Sequence, residues 1–253
     1  MSTTSPDSLA EDMLRIHRAI TRGMTVSKER ARAFARDGFP DEATRRGFLD
    51  YVRSLVTLTR GHHATEEAVG FPALQERMPE VPWDTLDAQH RALLPVLDSV
   101  EAGVEAGKKM SAGGPWLSEL ETSLSRLAAL WAEHIGLEER FLSEAALDRV
   151  SSRQEQEEMG RKMAEHGSTL AQPAPLVLSF FYFNLEPKDR TRLAAKMPPP
   201  LTQQLAPWTG RTPGLRCGRS SCRSVGPHQE AFSSVRPSRT AESLPLFTSY
   251  RNP

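Results

Sequence analysis

The feature that most constrains the fold is a helical repeat of apolar residues that runs from Ser8 to Glu165. Apolar side chains recur at intervals of three and four residues, whereas no stretch alternates polar residues with apolar, β-branched ones. Glycine and proline interrupt the repeat at several points, and such interruptions mark helix ends. The sequence therefore predicts an all-α protein.

The interruptions divide the repeat into four long helices and one short one. The long helices are predicted from Ser8 to about Thr21, from Asp41 to Gly70, from Pro82 to Ser111 and from Pro115 to Leu147. The short one is charged and lies near 27–36, before Gly38-Phe39-Pro40. Pro95 is expected to kink or end the third long helix, because proline lacks the N–H that a helix interior needs.

A helical extension is expected beyond residue 147, and the character of the chain changes from Pro173. A charged helix is expected over 151–166, an apolar stretch covers 175–184, and another helix is expected over 186–197. The remaining residues are rich in proline, serine and arginine, and they bury too little apolar surface to offset the entropy of ordering. The predicted organisation is a bundle over 8–147, a helical extension over 148–208 and a disordered tail over 209–253.

Composition excludes several classes of protein. Lys+Arg and Asp+Glu are 32 each, so nothing in the net charge favours a nucleic acid or an anionic membrane as partner. The longest apolar run falls far short of the ~20 residues that span a bilayer. The polar N-terminus resembles neither a signal nor a transit peptide, so a cytoplasmic location is expected. Cys217 and Cys222 are too few for a disulfide scaffold, and His228 alone does not complete a zinc site.

The chemistry of this chain concentrates on histidine and glutamate pairs within the helices. His134 has apolar residues three, four and seven positions away, and Glu138 lies four positions ahead on the same face. Both polar groups therefore point into a core. A buried carboxylate without a partner costs several kcal/mol or becomes neutral. A metal ion removes that conflict by supplying positive charge.

The second helix contains two such pairs, His62–Glu66 and His63–Glu67, with the same spacing, so spacing alone does not show which pair faces the core. The face of His62 carries more apolar neighbours, which favours His62 and Glu66 as ligands. His63 and Glu67 are then expected beside the ligands or in solvent.

Two further helices each place one histidine on an apolar face, His17 on the first and His90 on the third. A single such histidine is more often a hydrogen-bonded core residue than a ligand. Four helices with an inward histidine, two of them with a glutamate four positions on, favour a metal site.

At these residues the chain resembles the hemerythrin-like, or HHE cation-binding, domain family. The pattern is carried by His17 in LRIHRAI, His62 and Glu66 in HHATEEAVGFPAL, His90 in DAQHRALL, and His134 and Glu138 in HIGLEERFL. The resemblance covers about 8–147, with a looser likeness to about residue 208. It implies an up-down-up-down four-helix bundle that holds two non-heme iron ions between these six residues.

The resemblance also implies a difference from the oxygen carriers of the family, whose third helix supplies a second histidine four residues after the first. Leu94 occupies that position here. One metal is then expected to have fewer protein ligands, or an added oxygen ligand such as Glu67 or water. The incomplete ligand set disfavours stable, reversible oxygen carriage. The favoured function is binding or sensing O2, nitric oxide or peroxide, or buffering iron.

Two other functions remain open at this point. The first is a di-iron enzyme that removes peroxide or reduces nitric oxide. The second is a metal-free helical interaction module with histidines in its core. Zinc or manganese in place of iron also stays open.

Overall fold

In the computed structural model, which describes residues 8–110 and 114–196, every regular element is a helix. No strand occurs within those ranges, so the prediction of an all-α chain is confirmed there. The tail predicted for 209–253, with the cysteine pair at positions 217 and 222, lies outside them.

Four long helices form the body of the protein: α1 (Leu9–Asp37), α2 (Glu42–Thr65), α4 (Trp83–Lys109) and α5 (Pro115–Phe141). A π-helical segment (Glu66–Gly70) and the short α3 (Phe71–Leu74) continue directly from α2. Ser8 caps α1 and Asp41 caps α2, each accepting a backbone N–H three residues on. Helix α1 packs against α2 and α5, and α4 packs against the same two helices.

Helix α1 is one continuous element, so the expected division near Thr21 is wrong. Its buried face continues through Ile20, Met24, Ala31 and Phe34, at helical spacing. Packing of that face against α2 and α5 outweighs the weak helix propensity of the intervening threonine and glycine.

Helix α4 likewise does not end at Pro95. Pro95 and Leu94 lie on the exposed face, whereas the flanking Leu93 and Val96 are buried. A carbonyl that loses its helical hydrogen bond on an exposed face is hydrated by water, so the helix tolerates the proline there.

The core consists of two apolar clusters separated by a polar layer. One cluster lies around Phe48, Leu97 and Leu124. The other lies at the opposite end, around Phe71 and Leu147. The histidines predicted as ligands fall between the two clusters along every long helix.

The remaining helices within the described residues form the extension: α6 (Glu144–Val150), α7 (Arg153–Leu170), α8 (Ala174–Asn184) and α9 (Pro187–Lys196). The fourth predicted helix therefore ends at Phe141 rather than at Leu147. Helix α7 packs on α2 and the π-helical segment, and α8 packs on α1 and α2. Among the helices described, none is both long and apolar enough to cross a bilayer.

Candidate metal centre

The polar layer brings five histidines and two glutamates together in the middle of the helices. All seven are at most 7% exposed. Helix α1 supplies His17, α2 supplies His62 and His63, and α4 supplies His90; the π-helical segment supplies Glu66, and α5 supplies His134 and Glu138. The six residues predicted from the sequence thus lie together, and His63 joins them.

The first of two adjoining groups consists of His17, His62, Glu66 and Glu138. One candidate ligand atom from each lies within 4.8 Å of all the others. His17 Nε2 is 3.2 Å from Glu138 Oε2, and His62 Nε2 is 3.2 Å from Glu66 Oε1. Two nitrogens and two carboxylates converge here from three helices and the π-helical segment.

The second group consists of His63, His90 and His134, whose ligand atoms also lie within 4.8 Å of one another. The His63 ring stacks on the His90 ring, with centroids 4.1 Å apart. Glu66 connects the two groups, because its second carboxylate oxygen lies 3.6 Å from His90 Nε2.

Outer hydrogen bonds orient three of the histidine rings. His17 Nδ1 donates to Glu139 Oε1 and His90 Nδ1 donates to Glu67 Oε1, each over 2.9 Å. His134 Nδ1 faces Gln89 Oε1 at 3.4 Å. Carboxylate or carbonyl acceptors on the outer nitrogen are typical of metal-bound histidines, because they fix the tautomer that directs Nε2 inward.

The protonation of the second group leaves two nitrogen lone pairs face to face. Burial lowers the pKa of His90 and of His134 to about 4, so both rings are neutral near pH 7. A neutral imidazole has one N–H, and the outer acceptors place it on Nδ1 of each ring. The two bare Nε2 atoms lie 3.2 Å apart. Two nitrogens bound to one ion at about 2.1 Å each also lie roughly 3 Å apart.

In the first group, the pKa values of His17 and of the two carboxyl groups are shifted in different directions. Burial lowers the pKa of His17, but contacts with Glu138 and Glu139 outweigh burial and raise that pKa to about 9. Burial, reinforced by the neighbouring Glu138, raises the pKa of Glu66 well above its ordinary value. The pKa of Glu138 would rise on burial, but the adjacent His17 lowers it overall. Glu138 is therefore the ionised carboxylate of the pair.

The donor atoms of this layer fit a metal because most of them have no other partner. Eight buried polar atoms of His17, His62, His63, Glu66 and Glu138 make no hydrogen bond. Buried polar groups in proteins are almost always hydrogen-bonded. Imidazole nitrogens and carboxylate oxygens form a mixed donor set that suits iron.

The π-helical segment supplies two adjacent carboxylates, Glu66 and Glu67, which lie on opposite sides of the histidine rings. The Phe71 N–H bonds to Glu66 O, five residues back, and such widened turns are frequent at functional sites. Glu66 is 1% exposed and points into the layer, whereas the Glu67 side chain is 51% exposed and reaches His90 from outside.

Of the two alternatives for His63, exposure to solvent is wrong, because His63 is 3% exposed and one of its ring nitrogens lies within 4.8 Å of the ligand atoms of His90 and His134. Leu94, at the position where the oxygen carriers have a histidine, is 43% exposed. The third nitrogen of the second group therefore comes from α2 rather than from α4. The doublet His62-His63 was the available sequence sign, because adjacent positions on a helix point about 100° apart and can face two different neighbouring helices.

Comparison with known proteins gives one match. A family model described as the hemerythrin HHE cation binding domain matches residues 8–146, more than half of the chain. No curated protein and no solved structure matches. The matched range begins just before α1 and ends within α6, so it includes all seven residues of the polar layer.

Proposed function

The chain belongs to the hemerythrin HHE cation-binding domain family, and from that premise we propose that it is a non-heme di-iron protein. Its centre would bind or sense O2, nitric oxide or peroxide, or buffer iron. We further propose that the four long helices run up-down-up-down around the two ions. The observation that carries the proposal is the convergence of seven buried histidine and glutamate side chains, in which eight donor atoms make no hydrogen bond and the Nε2 atoms of His90 and His134 lie 3.2 Å apart.

The two groups correspond to two ions. His17 and His62 would hold the first ion, and His63, His90 and His134 would hold the second. Glu66 lies between the groups and is suited to bridge them, while Glu138 offsets charge beside His17 and His134. This set has five nitrogens and two carboxylates, so His63 restores the nitrogen that Leu94 does not supply.

When bound, a non-heme iron pair supplies redox-active positions that accept a small diatomic molecule or peroxide. The residues of this chain contribute the surroundings. Glu67 and Glu139 hold the protons of His90 and His17 on the outer nitrogens. The two apolar clusters exclude water from both ends of the layer and strengthen every charge interaction inside it.

The proposal is tested by iron content per chain after anaerobic reconstitution with ferrous iron and desalting. We expect about two irons in the unmodified chain and fewer in His62→Ala and His134→Ala, which remove one nitrogen from each group. His166→Gln is the control, because His166 contacts Thr65 rather than either group. It should retain both irons.

A chain that retains no iron, with equal thermal stability in all four proteins, contradicts the proposal and leaves a metal-free helical module. If iron is retained, absorption spectra before and after exposure to O2, nitric oxide and peroxide separate ligand binding from iron buffering. A spectrum that none of the three changes favours buffering.

A further inference from the structure

Trp131 on α5 lies against one side of the polar layer. The residue is 1% exposed, and its indole ring packs against four of the five histidines. The ring centroids lie 5.6 Å from His17, 5.7 Å from His63 and 5.8 Å from both His62 and His134. One buried indole therefore contacts histidines of both candidate ligand groups.

The same indole has a polar contact at the surface. Its Nε1–H donates to Thr21 Oγ1 on α1 over 2.8 Å, and Thr21 is exposed. A hydrogen bond becomes stronger when its donor carries positive charge. The hydroxyl oxygen of Thr21 is therefore placed to stabilise an indole that has lost an electron. Trp131 thus connects the buried histidines to a hydroxyl group in contact with solvent.

An indole gives up an electron more readily than the aromatic rings beside it. Phe71 stacks on His90 with centroids 5.4 Å apart, but a benzene ring has no nitrogen lone pair in its π system and is much harder to oxidise. An imidazole bound to a cation is also a poor electron donor, because the cation withdraws electron density from the ring. Trp131 is therefore the ring contact of the layer best suited to donate an electron.

We propose that Trp131 is an oxidation site: its indole gives one electron to peroxide at the metal centre when the iron pair can give only one. Reduction of peroxide to two waters takes two electrons and two protons. A pair with one ferrous and one ferric ion gives one electron and becomes fully ferric. The indole π system gives the second electron, and solvent gives both protons. No bond of the ring breaks, and the Nε1 proton stays in its hydrogen bond to Thr21.

This inference rests on the proposed function, because the electron is required only where iron meets peroxide. Its consequence is that Trp131, rather than a ligand histidine, is oxidised when the iron pair is one electron short. The oxidised ring is restored by a one-electron reductant that reaches the surface at Thr21. The indole then serves many encounters with peroxide without loss of a metal ligand.

The test uses the full chain loaded anaerobically with ferrous iron. A single equivalent of a one-electron oxidant per iron pair leaves each pair half-oxidised, and a single equivalent of hydrogen peroxide is then added. Samples frozen within milliseconds are examined by electron paramagnetic resonance. Ring-deuterated tryptophan identifies a tryptophan radical, because deuterium narrows its lines.

The variants are Trp131→Phe, Thr21→Val and, as the matched control, Trp116→Phe. Trp116 is also a tryptophan of α5 and 1% exposed, but its ring stacks on Phe39. It lies roughly 22 Å from Trp131 along the helix axis. Elemental analysis and circular dichroism check that each variant holds iron and is folded.

We expect a tryptophan radical in the half-oxidised unmodified chain and in Trp116→Phe, and its loss in Trp131→Phe. Thr21→Val should shorten the lifetime of the radical, because the oxidised ring loses its hydrogen-bond acceptor. The fully ferrous chain should give no radical with the same peroxide, because iron then supplies both electrons. If Trp131→Phe does not hold iron, Thr21→Val and the fully ferrous chain decide.

A radical of equal size in Trp131→Phe, or one that forms in the iron-free chain, overturns the assignment to Trp131 and leaves the proposed function intact. Iron that is retained but gives no tryptophan radical in the half-oxidised chain also overturns this inference alone. A chain that retains no iron overturns both.

Discussion

Replacing Glu66 with methionine should change stability in opposite directions with and without metal. Glu66 is 1% exposed, and neither of its carboxylate oxygens makes a hydrogen bond. Burial raises the pKa of Glu66 and the neighbouring Glu138 raises it further, so the group is driven toward the neutral form. A buried polar group left unsatisfied costs about 1–3 kcal/mol. Methionine has a similar length, carries no such group and adapts to an irregular space.

Without iron, Glu66→Met should therefore raise the free energy of unfolding by about 2 kcal/mol. At roughly 2–4 °C per kcal/mol for a chain of this size, the melting temperature should rise by about 4–8 °C. With iron, the variant loses the carboxylate between the two groups. Metal at a hundredfold excess over its dissociation constant contributes about 2.7 kcal/mol, and the variant should lose most of that contribution.

The assay is thermal unfolding followed by circular dichroism, once with a chelator and once with ferrous iron under anaerobic conditions. Gln156→Met is the matched control. Gln156 is also 1% exposed, but its side chain accepts from the Leu9 N–H and donates to Asp148 over 2.8 Å. The control should lose stability equally in both conditions. If Glu66→Met also loses stability equally in both, Glu66 has a structural role and the reasoning is refuted.

Two further outcomes follow from the surroundings of the ligands. Glu67→Ala removes the acceptor that orients His90 and should weaken iron affinity about 10- to 100-fold, with a smaller loss in Glu67→Gln. Competition titration measures these affinities, and equal values in the unmodified chain and in Glu67→Ala would contradict the prediction. Iron affinity should also rise with pH up to about 9, because contacts with Glu138 and Glu139 raise the pKa of His17 to about 9 and iron must displace its proton. Each displaced proton changes the dissociation constant about tenfold per pH unit, so affinities that do not change between pH 6 and 8 would refute the assignment of His17.

The sequence was sufficient to predict α2, α4 and α5 and six of the seven residues of the polar layer. Both depend on local information: apolar spacing defines α2, α4 and α5, and glycine or proline marks their ends. A histidine and a glutamate four residues apart share a face whatever surrounds the helix. His62 with Glu66 and His134 with Glu138 therefore needed no tertiary contact to be identified.

His63 was missed because the choice between adjacent histidines assumed that α2 has one buried face. Neighbouring positions on a helix point about 100° apart. Helix α2 packs against α1 on one side and α4 on another, so both directions are buried. His62 thus meets the ring of His17, and His63 meets the ring of His90. Only the arrangement of the helices contains that information.

The continuity of α1 could not be predicted, and the choice between a kink and an end at Pro95 stayed open, for a related reason. Propensity describes an isolated segment, whereas packing decides whether a weak segment stays helical. The buried stripe of α1 and the exposed position of Pro95 are both properties of the assembled helices.

Two helices of the extension, α7 and α8, affect the polar layer although they lie beyond the matched residues 8–146. Met163 on α7 fills the space beside Gly70, where an added Cβ would lie 3.2 Å from its methyl carbon. On α8, Phe180 packs so closely against Gly23 that an added Cβ would lie 2.3 Å away. Helix α7 therefore packs against the π-helical segment and stabilises it, and α8 does the same for α1 and α2, which carry His17 and His62. Because the segment from Glu66 to Gly70 positions one carboxylate inside and one outside the layer, the geometry of both depends on residues that the family pattern does not include.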